Sequence, residues 1–593
     1  MLDTAGIDAT MAGVVSPGWG GTRPEWAISA DNGVLRPASC SCVHYVRIGN
    51  TMNLRLLSKL LSLVAMLIGA SMAFSLPWAF SVCGGEWRHE QDGFFGLLGA
   101  MAFCFAVAWL LRHFGRTTRE QLFRKEAMAV VGLSWVLATV LGGLPYVLSR
   151  THRAEGVPMT VVDAMFESQS GFSTTGATVL TQLEDPAVVP RCILFWRSST
   201  HFLGGLGIIV LFVAILGQGS AGKALMRTEM PGPTQSTPQA RMQHTAWVLF
   251  LIYSGLNAIL AILLMLEGLG PFDAMCHAFG TMATGGFSTY NLSAGHFATQ
   301  PELYNGALIE MTITVFMVLA GTNFMLMYWI VLFKPGQLFG DVEWRVYMGI
   351  ILLVTALVVG FGLYHGDFGS HSGMVPVPEI ADGSMEETDE AASVGTAVRY
   401  SVFQVVSIMT TTGFCTDDFN RWNSFGRGIL LLLMFIGGCA GSTGGGLKVI
   451  RHILFVKILR LELEQSYHPS VVRPLRIGGQ PVEDQELRRN ILVYFGLVVV
   501  IFAASWLFTI TVEPDATWTE NGHASEHKLM DSATCVSATL NNIGPGLGVI
   551  GATKNYANFT PWSKLLFTWL MMLGRLELYV ILVLFMPNFW RSR

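Results

Sequence analysis

The chain is poor in charge. Asp, Glu, Lys and Arg together make up 13% of its 593 residues, about half the share found in soluble domains, and long stretches carry none of the four. Cysteine is sparse too. The nine cysteines are scattered singly through apolar segments, apart from Cys40 and Cys42, with none at metal-ligand or redox spacing, so they read as small hydrophobes. The apolar segments offer no His-x-x-x-His, no Gly-x-Ser-x-Gly and no paired aspartates, which leaves an enzyme built inside them without a nucleophile–base pair or a metal cluster. The polar loops hold no strand–Gly-x-Gly–helix pattern, so they contain no nucleotide fold.

What fills the chain is apolar. Hydrophobic residues reach 51% and mean hydropathy is +0.48, the composition of an integral membrane protein. Segments free of Asp, Glu, Lys and Arg run over 60–85, 93–111, 127–149, 198–222, 242–266, 311–333, 346–364, 428–447 and 490–512. A tenth, 562–586, reads as a span despite Lys564, Arg575 and Glu577. At roughly 20 apolar residues per crossing, the expected fold is an all-α membrane protein of ten transmembrane helices. Basic residues collect on one side, with Arg112, Arg116, Arg119, Arg124 and Lys125 in one loop and Lys448, Arg451, Lys457, Arg460, Arg473, Arg476, Arg488 and Arg489 in another. The positive-inside rule puts that side, and both termini, in the cytoplasm. The opposite side holds 366–398, with seven acidic residues and no Lys or Arg, and 513–526, with Glu513, Asp515, Glu520 and Glu526. Such loops either concentrate cations or are simply solvated. Residues 1–51 have no apolar period and no signal-peptide core, which predicts a disordered tail or a misassigned start ahead of Met52.

Four segments between spans align without gaps: "DAMFESQSGFSTTGAT" from Asp163, "DAMCHAFGTMATGGFS" from Asp273, "YSVFQVVSIMTTTGFC" from Tyr400 and "DSATCVSATLNNIGPG" from Asp531. Glycine recurs at the fourteenth place as Gly176, Gly286, Gly413 and Gly544, preceded two places earlier by Thr174, Thr284, Thr411 and Asn542. About ten residues of each segment make a helix of roughly 15 Å, half the depth of a bilayer core. Asp163, Asp273 and Asp531 suit the N-terminal ends of these half-helices. The chain must then climb back in extended form, and glycine at the fourteenth place lets it aim successive carbonyls at a common axis. Four such strands form an oxygen cage that can replace the hydration shell of a monovalent cation. Close helix packing through small residues is the competing reading of any one copy. Four copies at equivalent places favour the cage. The architecture is an N-terminal helix pair followed by four helix–pore loop–helix repeats around one pore. Glu167, His277 and Gln404 share one place in the half-helices and read as hydrogen-bonding supports of the extended strands.

Two more features carry weight. "GGCAGSTGGG" (437–446) puts six glycines into ten residues of an apolar span, where each costs a helix about 1 kcal/mol. It reads as an intramembrane loop that moves to open the path, or as tight packing by small residues. Its residues Gly437, Gly438, Gly441, Ser442, Thr443, Gly444, Gly445 and Gly446 are the candidate gate. Arg575 falls midway along the last span, at a depth where an unpaired charge costs at least about 2.5 kcal/mol. It either faces the pore as a barrier to cations or pairs with an acid on another helix.

The hairpins, with "WRSSTHFLGGLGIIVL" (196–211), "GGCAGSTGGGLKVIR" (437–451) and "MLGRLELYVILVL" (572–584), resemble the Trk/Ktr/HKT superfamily of potassium transporters, and the extra helix pair resembles its TrkH-type subunits. The resemblance covers about residues 52–593. It implies a potassium-uptake subunit of the bacterial inner membrane, usually a homodimer, with potassium as the transported ion, no cofactor of its own and a cytoplasmic nucleotide-binding ring of the TrkA type as partner. Carried over by position, it implies potassium coordination at Thr174, Thr175 and Gly176, at Thr284, Gly285 and Gly286, at Thr411, Thr412 and Gly413, and at Asn542, Ile543 and Gly544. Gly176 stands where some sodium-favouring plant relatives have serine, so the resemblance implies a preference for potassium; a sodium-selective or sodium-coupled carrier of the same architecture is the alternative. Only the fourth strand has a second glycine two places on, where the others have Thr178, Ser288 and Cys415, and looser selectivity than in tetrameric potassium channels is expected. The resulting division is a tail at 1–51, a two-helix unit at 52–125 and repeats at 126–222, 242–334, 341–460 (with the gating loop) and 486–593.

Overall fold

The structure is a computed structural model that describes residues 52–116, 124–205, 239–368, 393–469, 485–520, 527–576 and 578–591, with a few isolated positions and short strands between them. The expected tail at 1–51, the 217–238 stretch, most of the acidic 366–398 loop and Glu577 lie outside the described residues.

Helix α1 (Leu54–Met72) begins where the Asn53 side chain accepts the Leu56 N–H, satisfying a backbone donor that the first turn leaves free. It packs against α2 (Trp87–Phe114) and α3 (Arg124–Leu148). From α3 onward one element order recurs. A long apolar helix comes first: α3, then α6 (Gln239–Leu266), α10 (Val342–His365) and α14 (Gln485–Val512). A short buried helix follows: α4 (Val161–Phe172), α7 (Pro271–Met282), α11 (Val394–Met409) and α15 (Lys528–Leu540). After an extended segment a second helix returns: α5 (Arg191–Gly205), α8 (Gly306–Ala320), α12 (Ser424–Leu433) and α16 (Pro561–Arg575). Helices α9 (Phe324–Val331), α13 (Val449–Tyr467) and α17 (Tyr579–Leu584) complete the frame. The buried core forms two large clusters: one joins α1–α5 with α15 and α16, the other gathers residues of α6–α12.

Six described helices are long and apolar enough to cross a bilayer, or seven with the pair α8–α9, which bends by 106°. The described residues do not confirm the ten spans expected from hydropathy. Segment 428–447 leaves its helix at Leu433, ahead of the expected glycine-rich loop, and 562–586 breaks between Arg575 and Tyr579, while 208–222 lies outside the described residues. Glycine stands at two close backbone approaches. A β-carbon on Gly204 would stand 1.9 Å from the Phe172 carbonyl oxygen, and one on Gly574 would stand 2.0 Å from that of Leu540. Phe172 and Leu540 occupy the same place at the ends of α4 and α15. The returning helices α5 and α16 therefore pass directly behind the ends of the short ones.

Candidate functional site

Each short helix is built to start and stop abruptly. Thr160 and Asp163 form a reciprocal capping box at the start of α4, while α7 opens on Gly270 and Pro271 with Asp273 in its first turn. Asp531 lies in the first turn of α15. At the other end, four equivalent hydrogen bonds turn the chain back: Thr175 N to Ser170 O (2.9 Å), Gly285 N to Gly280 O (2.7 Å), Thr412 N to Ser407 O (2.8 Å) and Ile543 N to Ala538 O (2.8 Å). The turn forces left-handed backbone on non-glycine residues, with φ of 53° at Thr174 and Thr284, 61° at Thr411 and 56° at Asn542. That conformation costs roughly 1–2 kcal/mol at each position, and strain of this kind gathers at functional sites. Two residues later the glycines take φ of 80° (Gly176), 76° (Gly286), 80° (Gly413) and 93° (Gly544).

The four extended segments close into a ring in chain order. A β-carbon on Gly176 would stand 2.2 Å from Gly285 O; one on Gly286, 2.0 Å from Thr412 O; one on Gly413, 2.0 Å from Ile543 O; and one on Gly544, 2.4 Å from Thr175 O. Every glycine thus abuts the carbonyl of the residue preceding the next strand's glycine, and the fourth strand returns to the first. The N–H groups of Thr175, Gly285, Thr412 and Ile543, the residues ahead of these glycines, are taken up by carbonyls of the short helices. All twelve predicted residues belong to this ring, and all are buried except Gly176 and Gly286, which are partly exposed.

Side chains hold the strands from behind. Glu167 accepts from Thr178 Oγ1 (2.9 Å) and Val179 N (3.0 Å), His277 Nε2 meets Ser288 Oγ (3.0 Å), and Gln404 donates to Cys415 Sγ (3.9 Å). These are the three residues predicted as supports, each bonding the place two beyond the glycine of its own repeat. A second set runs around the ring. Asn291 N donates to Glu184 (3.0 Å), Cys415 N donates to Ser293 Oγ (3.2 Å), Gly548 N donates to Asn420 Oδ1 (2.9 Å), and Tyr556 N donates to Thr178 O (2.8 Å). Chain that follows one strand thereby clamps the next. Arg197, fully buried, pairs with Glu167 (2.6 Å), donates to Ser288 O (2.9 Å) and lies 3.5 Å over the Phe287 ring. The sequence offered a sign of Arg197, a charge midway along a helix whose other charge, Arg191, stands at its first position. A second buried pair, Lys564–Asp163 at 2.6 Å, ties α16 to the start of α4.

The glycine-rich loop sits against the helix side of the ring. Gly445 N donates to Thr411 Oγ1 (2.8 Å), and a β-carbon on Gly445 would stand 2.6 Å from the Asn542 side chain. Loop residues Cys439 and Thr443 bond through their N–H groups to Gly321 O and Ala320 O, where α8 ends. Glu343 Oε1 accepts both Ala440 N (2.8 Å) and Ile450 N (3.0 Å), and the Lys448 ammonium donates to Gly444 O. Arg575 spans from this loop to the first repeat, donating to Thr443 O (2.5 Å), Gly204 O (2.6 Å) and Gly205 O (3.0 Å). On the other side of the ring, Gly176, Gly286, Gly413 and Gly544 line a depression shared with Thr178, Ser288 and Tyr556. The acidic 513–526 loop is less of a field than its composition suggests. Glu513 is buried and caps Thr560, and Asp515 pairs with Lys528 at 2.6 Å, which holds its carboxyl below the usual range.

The family described as TrkH, cation transport protein, matches residues 97–363 and 375–592. The chain belongs to this family. The Trk system potassium uptake protein TrkH of Salmonella typhimurium is 34% identical over 544 residues, covering 91% of this chain and 100% of that one. Its Escherichia coli K12 counterpart is 33% identical at the same coverage. The crystal structure of the potassium transporter TrkH from Vibrio parahaemolyticus matches with a TM-score of 0.73 at 29% identity, over 91% of this chain and 100% of that one. The resemblance drawn from the hairpin motifs is therefore borne out, and a transporter family, not an enzyme family, is where the chain falls.

Proposed function

We propose that the chain is the translocating subunit of a Trk-type system, carrying potassium into the cell across the bacterial inner membrane as a channel does. The observation that carries this reading is the closed ring in which Gly176, Gly286, Gly413 and Gly544 each abut a neighbouring strand's carbonyl. A dehydrated cation entering it exchanges water for the backbone oxygens of Thr174–Gly176, Thr284–Gly286, Thr411–Gly413 and Asn542–Gly544. The C-terminal ends of α4, α7, α11 and α15 point their partial negative charge at the same centre. The ring acts as filter, with the four repeats at 126–222, 242–334, 341–460 and 486–593 arranged around it and the 52–125 helix pair outside.

Below the filter, the 437–446 loop is the gate, and its contacts with Thr411, Asn542 and Arg575 support a closed position. The Arg575 guanidinium, which donates to the carbonyls of Thr443, Gly204 and Gly205, places a positive charge near the path and repels cations that have passed the filter. Lys448 and α13 connect the loop to the basic face, where a TrkA-type nucleotide-binding ring docks on a homodimer of this chain. The test is ion flux into proteoliposomes holding the purified protein, with potassium or sodium outside. Potassium should enter faster; equal or sodium-preferring uptake refutes the potassium assignment.

A further inference from the structure

The fourth filter strand lacks the support the other three share. Strands one to three are each braced by a pair within their own repeat, Glu167–Thr178, His277–Ser288 and Gln404–Cys415. At the matching places the fourth repeat has Cys535 and Gly546, and a glycine has no side chain to receive a brace. Within its repeat the strand is held one place further on, where the Thr534 hydroxyl bonds the Leu547 N–H (3.2 Å) and carbonyl (3.3 Å), and the Gly544 carbonyl itself is held from outside the repeated segment. The Tyr556 hydroxyl donates to the Gly544 carbonyl at 2.8 Å, and the Tyr556 N–H donates to Thr178 O on the first strand, also at 2.8 Å. Its ring is fixed among Phe166, Phe559 and Phe567, with centroids 5.3, 5.6 and 5.7 Å away, and the residue is 2% exposed. One residue therefore grips the carbonyl of a filter glycine with its side chain and, through its backbone N–H, ties the chain after the fourth strand to the first. Gly544 is also the glycine whose φ departs from the rest, 93° against 76–80°.

We propose that Tyr556 is a selectivity-determining positioning residue. Its hydroxyl fixes the direction of the Gly544 carbonyl, and its N–H closes the ring between the fourth and first strands. The inference rests on the reading of the ring as a potassium filter. Without the hydroxyl, the Gly544 carbonyl turns to find another donor or a smaller ion, and the site loses the spacing that favours potassium over sodium.

The experiment compares wild type with Tyr556→Phe in proteoliposomes, reading potassium-to-sodium permeability from bi-ionic reversal potentials. Tyr146→Phe serves as control, since the buried Tyr146 hydroxyl has no hydrogen-bond partner among the described residues. The expected result is a roughly fivefold fall in the ratio for Tyr556→Phe, the size of one neutral hydrogen bond's net contribution, with an unchanged ratio for Tyr146→Phe. An unchanged ratio in Tyr556→Phe, with wild type selective, overturns the proposal. A wild type without potassium preference overturns the filter reading instead. Should Tyr556→Phe fail to insert, 3-fluorotyrosine at position 556 keeps the ring and sharpens the donor. A changed ratio then supports the proposal, and an unchanged one overturns it.

Discussion

Replacing Gly176 by serine forces a β-carbon into space the second strand already fills. That carbon would lie 2.2 Å from Gly285 O, more than 1 Å inside ordinary contact at about 3.5 Å. The backbone there has φ of 80°, a conformation that costs an L-residue roughly 1–2 kcal/mol. Both penalties push the same way: the first strand rotates toward ordinary backbone angles, or the Gly285 carbonyl moves outward. Either change widens or tilts one quarter of the oxygen ring. A displaced carbonyl that costs potassium about 1.4 kcal/mol relative to sodium lowers the permeability ratio tenfold. The ratio is read from bi-ionic potentials or paired isotope uptake, in protein whose insertion is checked by its melting behaviour. A ratio within twofold of wild type, in a stably inserted protein, refutes the register assigned to the ring.

Arg575→Ala removes the bracket between Thr443 and Gly204–Gly205 together with its charge, and potassium flux should rise severalfold and depend less on regulation; unchanged flux points to a purely structural arginine. Deleting 444–446 removes the contacts of Gly444 with Lys448 and of Gly445 with Thr411, and should raise flux in protein that still binds potassium. Adding a TrkA-type ring to the purified chain should make flux respond to ATP against ADP, because a nucleotide shifts the loop only if the ring contacts its two positions differently. A nucleotide response from this chain alone, or none with the ring bound, contradicts that coupling.

The short helices, the extended strands and the glycine register were legible because they repeat without gaps, and repetition exposes a backbone requirement that one copy hides. Glu167, His277 and Gln404 were legible as supports for the same reason. Of the helix breaks, that at 437–446 was legible from its six glycines and the others were not. Gly205, Gly321 and Gly574 are single or paired glycines in strongly apolar runs, and average hydropathy is blind to a broken helix. Glycine at the ends of three of the four returning helices, Gly204–Gly205, Gly321 and Gly574, was the available signal. Arg575 was legible as a buried charge, but its carbonyl partners belong to segments 132 to 371 residues away. Tyr556 was hidden more deeply. It lies outside the aligned segments, and its part follows from what the fourth repeat lacks, which only the assembled ring makes visible.

The account stands on where the ion sits. Crystals or frozen grids of the protein in rubidium or thallium, which substitute for potassium and scatter strongly, locate it directly. Ion density is predicted on the axis between the carbonyls of Thr175, Gly285, Thr412 and Ile543. Density elsewhere in a well-ordered protein, or none within the ring, contradicts the filter.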